Sequence, residues 1–406
     1  MKKKIIFLFI IIVLISFGIL IKTSFNKEES SFQDDSSEQI KEENLLSMML
    51  ETSAGSGEYE MVTQSSWPTD GYTFNAKLSK CENGGELGWD STYNRVTMTG
   101  NMADKCYVYF DIIPLVSDFC SNGDYLATCL TNYADNVDSS ITNIYHHDGT
   151  LANGINDGSY RYAGYYNYYG NYNNYVCFGT NVETCPDDNL YRIIGVIDGK
   201  IKLVKQTSLG EMAWDSAGAN AWSTSSLNTY LNGTYLTSLS ETWSSKIVTT
   251  TWKTGVVTSS TVAAEMYINE MSNATSGSDG LTEYSSKIAL MYDHDFQLAL
   301  APYYWQDTFL ALGNGGNLAA CPDVCWVISQ SEFSTLPDTL PDPLTDTVSY
   351  VTAAIRATDN VYIALLPDTI IYYNTSTCSV HPSFFLDSTI SYKSGTGTFD
   401  DPIKIN

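Results

Sequence analysis

The run "YDHDF", Tyr292–Phe296, sets an imidazole between two carboxylates, an arrangement that can tune a histidine for proton transfer. The same run also has the form of a helix start, with acidic residues in the first turn, and that is the expectation adopted. The other histidines are His146, His147 and His381, and none has the His-x-x-x-His spacing of a helical metal site. There is no nucleophile elbow and no phosphate-cradling glycine loop. No catalytic residue, bound metal or cofactor is therefore expected, and the chain is read as a non-enzyme.

A second chemistry is offered by "YRYAGYYNYYGNYNNYVCFG", residues 160–179. Eight of its first sixteen residues are tyrosine. A phenol presents a flat apolar face and a polar rim, which suits stacking on sugars or docking on protein. Binding loops use tyrosine for this large area at low entropy cost. Tyr165, Tyr166, Tyr168, Tyr169 and Tyr172 are the ligand-binding candidates. The competing reading is that the rings pair across an exposed hairpin, at about 0.2–1 kcal/mol per pair.

The nine cysteines fall mostly into local pairs. Cys120/Cys129, Cys177/Cys185 and Cys321/Cys325 are near neighbours, Cys81/Cys106 flank one compact segment, and Cys378 is left over in an apolar context. Zinc sites need such pairs in twos, and only Cys321/Cys325 has the spacing, so disulfides are expected. Asp187/Asp188 and Asp400/Asp401 read as solvated turn acids, with a structural calcium ion as the alternative.

These groups sit behind a hydrophobic start. Lys2, Lys3 and Lys4 precede seventeen almost wholly apolar residues, Ile5 to Ile21, long enough as a helix to span about 26 Å. Extended to Phe25 it approaches the ~30 Å of a bilayer core. The lysines hold that end inside, so the body lies outside. A cleaved signal peptide is the alternative, but no small-x-small site follows. Taking these three lysines from the 21 basic residues leaves 18 against 46 acidic ones, which disfavours nucleic-acid partners. The expected order is a cytoplasmic tail 1–4, a transmembrane anchor 5–25 and an acidic Ser-rich tether 26–59. A small β module 60–111, a mixed connector 112–143 and an α+β domain 144–406 follow. The expected location is the cell membrane, single-pass, with an extracellular body. The expected partners are the membrane and a glycan or surface protein.

Within the tether only Leu45 to Leu50 is apolar, with a short helix as the expected form. In the β module, turns are expected at Asn83-Gly84 and Asn94, and a helix around Tyr125 to Tyr133 follows. Asp198-Gly199 marks a hairpin between "NLYRIIGVID" and "GKIKLVKQ". Further on, a helix starts at Ser225 and stops near Gly233. A second carries Tyr235, Leu239, Trp243 and Ile247, and a third covers Val262 to Met271. Strands on both sides of these helices imply α+β.

The segments "NNYVCFG", "TCPDDNLYRIIGV", "WSTSSLNTYLN", "KIALMY", "CWVISQ" and "VHPSFFLDSTISYKSGTGTFDDPIKI" resemble an uncharacterised exported domain family of Gram-positive gut bacteria. "WPTDGYTFNAKLSKCENGG" and "DKCYVYFD" resemble a small module that accompanies it. This family is similar to C-type-lectin-like and formylglycine-generating-enzyme-like folds, so the resemblance implies such a fold for the C-terminal domain. His381 stands where the pattern has an arginine. The sugar-and-calcium signatures of C-type lectins are absent, and Cys321 and Cys325 do not match the cysteine pair of the oxidases. "LPDT" at 336–339 and 366–369 lacks the glycine and tail of a wall-sorting signal and reads as turns. The resemblance implies a fold and a location but no activity. The exported location, the lectin-like pattern and the Tyr165–Tyr172 segment together lead to the expectation of a binding or adhesion role, with a purely structural envelope role as the alternative.

Overall fold

The computed structural model describes residues 46–64, 66–68, 71–90, 93–100, 104–164, 173–218, 221–253, 262–272, 280–306, 348–355, 360–366, 370–373 and 377–406. The anchor 5–25, Cys321/Cys325 and the tetrad at 336–339 lie outside them. Among the described residues no helix is long and apolar enough to cross a membrane. The chain forms two compact units, and helices and strands together give an α+β protein.

The smaller unit takes in 46–49, 61–67 and 75–109. Its hairpin Glu86–Asp90/Arg95–Thr99 pairs Trp89 with Val96 and Leu87 with Met98. Asn94 closes it at φ 46°, which asparagine tolerates better than most residues. Cys81 lies opposite Cys106 in the ladder and the two are joined as a disulfide. The Asp104 carboxylate beside them accepts the backbone N–H groups of Glu82, Asn83 and Gly85, tying the Asn83-Gly84 turn down.

The larger unit takes in 50–60, 68–74 and everything from Phe110. The apolar clump expected as tether, with at most a short helix, is the strand Leu46–Glu51 instead. Its last residue explains the order. Glu51 is buried and its carboxylate accepts N–H bonds from Gly57 (2.9 Å) and Ile112 (3.0 Å), so one side chain satisfies two backbone donors.

Helix α1 (Leu126–Asn136) lies in the segment read as a connector, yet it buries Leu126, Cys129, Leu130 and Tyr133 in the main core. Cys129 is bonded to Cys120. Then come β1 (Ile144–Asp148), β2 (Asn156–Tyr162), β3 (Tyr175–Cys177), β4 (Leu190–Ile197) and β5 (Lys200–Lys205). Helix α2 (Ala263–Met271), β6 (Ile288–Ala289), helix α3 (Asp293–Ala299), β7 (Ser383–Phe385), β8 (Tyr392–Ser394) and β9 (Ile403–Ile405) complete the frame. The nine strands make one sheet in the order β6-β7-β5-β4-β3-β9-β8, with β2 added to β4 and β1 to β2. All pairs are antiparallel except β3 with β9.

The β4–β5 hairpin turns at Asp198 (φ 51°) and Gly199 (φ 69°), the paired positive angles of the tight turn that an Asp-Gly step favours. Cys177 at the end of β3 is bonded to Cys185. Phe178, Tyr191, Trp243 and Phe384 interlock edge-to-face or tilted beneath the sheet.

The helix begun at Ser225 does not stop near Gly233. It widens to a π turn over Leu231–Tyr235 and continues to Ser238. Asn232 fixes that turn by bonding both the N–H and the C=O of Ile288. The break comes at Leu239, where ψ is 135°. Just before it, the Thr237 and Ser238 hydroxyls bond back to preceding carbonyls and compete with the helix. The expected second helix is reduced to Glu241–Ser244, although Trp243 and Ile247 are buried as its pattern required.

Gly195 is where β2 crosses close to β4: a Cβ there would stand 2.2 Å from the Tyr160 carbonyl oxygen and 3.0 Å from Arg161 Cα. Only backbone can move to relieve this. Gly195→Ala is expected to cost about 3 kcal/mol or more, read as a lower guanidinium midpoint. An unchanged midpoint would contradict the β2–β4 approach.

Candidate functional site

The helix start at Tyr292 is real, and it does more than begin a helix. Asp295 reaches back to accept the Tyr292 N–H (2.9 Å), the reciprocal bond of a capping box. The remaining capacity of this fully buried carboxylate goes to two cations from distant strands. Arg161 Nη1 on β2 donates to Oδ1 at 2.9 Å, and Lys202 Nζ on β5 donates to Oδ2 at 2.5 Å. Both cations are buried. Lys202 Nζ lies 4.5 Å from the Tyr292 ring centre, with Trp252 and Phe385 at 5.4 and 5.5 Å, so aromatic faces wall the ammonium.

A second layer surrounds this pair. His294 Nδ1 lies 2.7 Å from Glu270 Oε2 on α2, and the same oxygen accepts the His294 backbone N–H. His294 Nε2 is 3.6 Å from Asp295 Oδ1, and its ring stacks on Tyr292. Asp157 accepts from Arg161 Nη2 at 3.3 Å and from Ser159. Burial opposes the charge on Asp295, but the Lys202 and Arg161 cations outweigh it and hold the carboxyl below the usual range. Burial lowers Lys202 against the pull of Asp295. It also pushes His294 down to about 3, so its neutral ring donates from Nδ1 to Glu270.

Sequence reasoning named His294 and its two flanking acids but not Arg161, Lys202 or Glu270. The available signal was Lys202 itself, a lysine in the middle of "KIKLVK" at a position that β5 buries.

The other histidines make contacts of their own. His146 stacks on Tyr160 at 4.1 Å. His147 is buried near Asn153 and Trp305. His381, at the place of the expected arginine, is buried with Nδ1 3.0 Å from the Lys205 carbonyl oxygen. Asp401 closes the 396–401 turn by accepting the Thr396 N–H, and Asp187 and Asp188 form a single helical turn before β4. Among the described residues one trio of possible metal ligands converges, Cys81, Asp104 and Cys106, and its sulfurs are bonded to each other.

Tyr165, Tyr166, Tyr168, Tyr169 and Tyr172 lie outside the described residues, but both ends of their segment are within them. At one end Gly164 bridges to Leu300 and donates to Ala299 O. At the other, Asn173 O accepts from the Tyr162 hydroxyl, and Asn174 accepts the Ile193 N–H at its backbone oxygen, donates its side-chain Nδ2 to the Ile193 carbonyl and accepts from Arg192 Nε at Oδ1 at 2.6 Å. The Arg192 guanidinium lies 3.8 Å over the Tyr175 ring, whose edge meets the exposed Phe399. The smaller unit separately holds a cavity of about 420 Å³ lined by residues including Met48, Met61 and Trp67.

No family model, no curated protein and no solved structure matches the chain.

Three imidazoles are kept neutral by burial: His147 and His381 are pushed down to about 4, and His294 to about 3. Unfolded, each titrates near 6.5, so between these values the unfolded chain binds more protons. Stability is complete above pH ~6.5 and falls as pH drops through that window, by roughly 1.4 kcal/mol per unit for each histidine. The guanidinium midpoint is expected to fall steadily from pH 7 to 5, with His381→Gln removing roughly a third of the slope. A midpoint indifferent to pH over that range would contradict the neutral assignment.

Proposed function

We propose that the chain is a membrane-anchored, extracellular binding protein whose C-terminal domain is lectin-like. Its ligand is a glycan or a surface protein engaged by Tyr165, Tyr166, Tyr168, Tyr169 and Tyr172. The observation that carries this reading is the framing of that segment. Its two ends, Gly164 and Asn173-Asn174, are clamped by hydrogen bonds onto a single sheet and the end of α3. Loops with recognition chemistry held on a rigid scaffold are where binding residues concentrate. Tyr175 and the exposed Phe399 extend the aromatic character past the C-terminal root.

Catalysis draws no comparable support. The groups able to move protons, His294, Asp295 and Glu270, are shut away from solvent and engaged with one another or with Lys202 and Arg161. The three disulfides among the described residues suit an oxidising exterior. The apolar run 5–25 supplies the anchor and the acidic stretch behind it the spacing from the membrane.

The test is a glycan and mucin array probed with the full chain in detergent, with calcium and with chelator. Binding is expected to persist in chelator and to fall at least about tenfold in the Tyr166/Tyr168/Tyr169 alanine triple, the loss of more than about 1.4 kcal/mol. Binding that survives the triple unchanged would remove the tyrosine segment from the reading, and a blank array would favour the structural role.

A further inference from the structure

The Lys202–Asp295 contact is more than an ion pair in its setting. An amine nitrogen and a carboxylate oxygen stand 2.5 Å apart, with side chains 1% and 0% exposed, so no solvent competes for either group. Three aromatic rings surround the nitrogen. The other carboxylate oxygen faces a guanidinium at 2.9 Å. A second acid–base couple, His294 with Glu270, stands behind it, its Nε2 3.6 Å from that oxygen. In water an ammonium and a carboxylate do not condense, because hydration stabilises both ions and excess water favours the acid and amine. A dry pocket that holds the two groups in contact removes both obstacles and supplies the effective concentration of an intramolecular reaction.

We propose that Lys202 and Asp295 are joined by an intramolecular isopeptide bond, formed by the folded chain itself. One proton passes from the ammonium to Oδ2 and leaves an amine facing a carboxylic acid. The nitrogen lone pair attacks Cγ, forming the N–C bond, and the negative charge gathers on Oδ1 against the Arg161 guanidinium. A second proton moves from the attacking nitrogen to the Oδ2 hydroxyl. The Cγ–Oδ2 bond then breaks, Oδ2 leaves as water, and Oδ1 becomes the carbonyl of the amide. The third lysine proton stays on the amide nitrogen. Atoms and charge balance, and no oxidant, nucleotide or metal is needed. Arg161 acts directly on the reacting oxygen. Glu270 acts through His294 and is a positioning residue.

The two residues are 93 apart in the chain, so the bond would close a covalent loop between β5 and α3. Trypsin reads it out. Cleavage after Lys200, Lys205 and Lys287 but not after a modified Lys202 yields a branched peptide. That peptide joins 201–205 to the fragment containing Asp295, at the sum of their masses less one water.

The experiment is peptide mapping by mass spectrometry of the full chain, matured at neutral pH, then reduced and denatured. The branched peptide is expected from the native chain and is expected to be absent from Lys202→Arg and Asp295→Ala. Because the decisive datum comes from the native chain, a variant that fails to fold leaves the test intact. Glu270→Gln, with Lys202 and Asp295 kept, is expected to slow the appearance of the branched peptide without changing its mass. Ordinary cleavage after Lys202 with an unmodified Asp295 fragment would overturn the proposal. A loss of water confined to the Asp295 fragment would overturn it as well, since that would be a cyclic imide and not a cross-link.

Discussion

The larger unit is organised by one carboxylate. Asp295 is removed from water, an act that costs several kcal/mol for any ion, and only near-ideal partners offset it. It obtains them from three places at once: the backbone of its own helix start, Arg161 on β2 and Lys202 on β5. Glu270 on α2 joins through His294. None of these elements can shift without leaving a buried charge short of a partner, a loss of about 3–5 kcal/mol. Burial elsewhere in the core is tolerant by comparison, since aromatic and aliphatic contacts degrade gradually. The charged cluster therefore sets where α3 stands against the sheet, and the apolar core fills in around that choice.

The position of α3 then has an effect at its other end. Ala299 and Leu300 hold Gly164, so the tyrosine-rich segment leaves the sheet from a point fixed by the helix that Asp295 anchors. Arg192, Asn174 and Tyr175 fix the return point by a separate network. Both roots of the segment are therefore fixed by hydrogen bonds within the larger unit, each through its own set of partners.

How much of this was legible depended on the distance between partners. The Asp198-Gly199 hairpin, the helices at Leu126 and Ala263, the start of α3 and three local cysteine pairs follow from residues that interact within a few positions of one another or across one compact segment. The strand at Leu46, the π turn at Leu231–Tyr235 and the break at Leu239 did not emerge. Glu51 takes a partner 61 residues away and Asn232 one 56 away, so local propensity was overruled by tertiary contacts. The charged cluster shows the same limit most clearly. YDHDF contains an acid whose cations are 93 and 134 residues upstream, and nothing in five residues distinguishes such an acid from a solvated cap.

The parallel pairing of β3 with β9 carries a consequence for biosynthesis. Tyr175–Cys177 is flanked by β4 on one side and by Ile403–Ile405 on the other, and Gly397 also receives the Tyr175 N–H. A nascent chain makes β3 and β4 early, but the outer edge of β3 stays open until residues more than two hundred positions later have left the ribosome. Through that interval the edge is a template for any extended peptide nearby. Long-range closure of this kind slows folding and lengthens the time during which a chaperone must shield the half-built sheet.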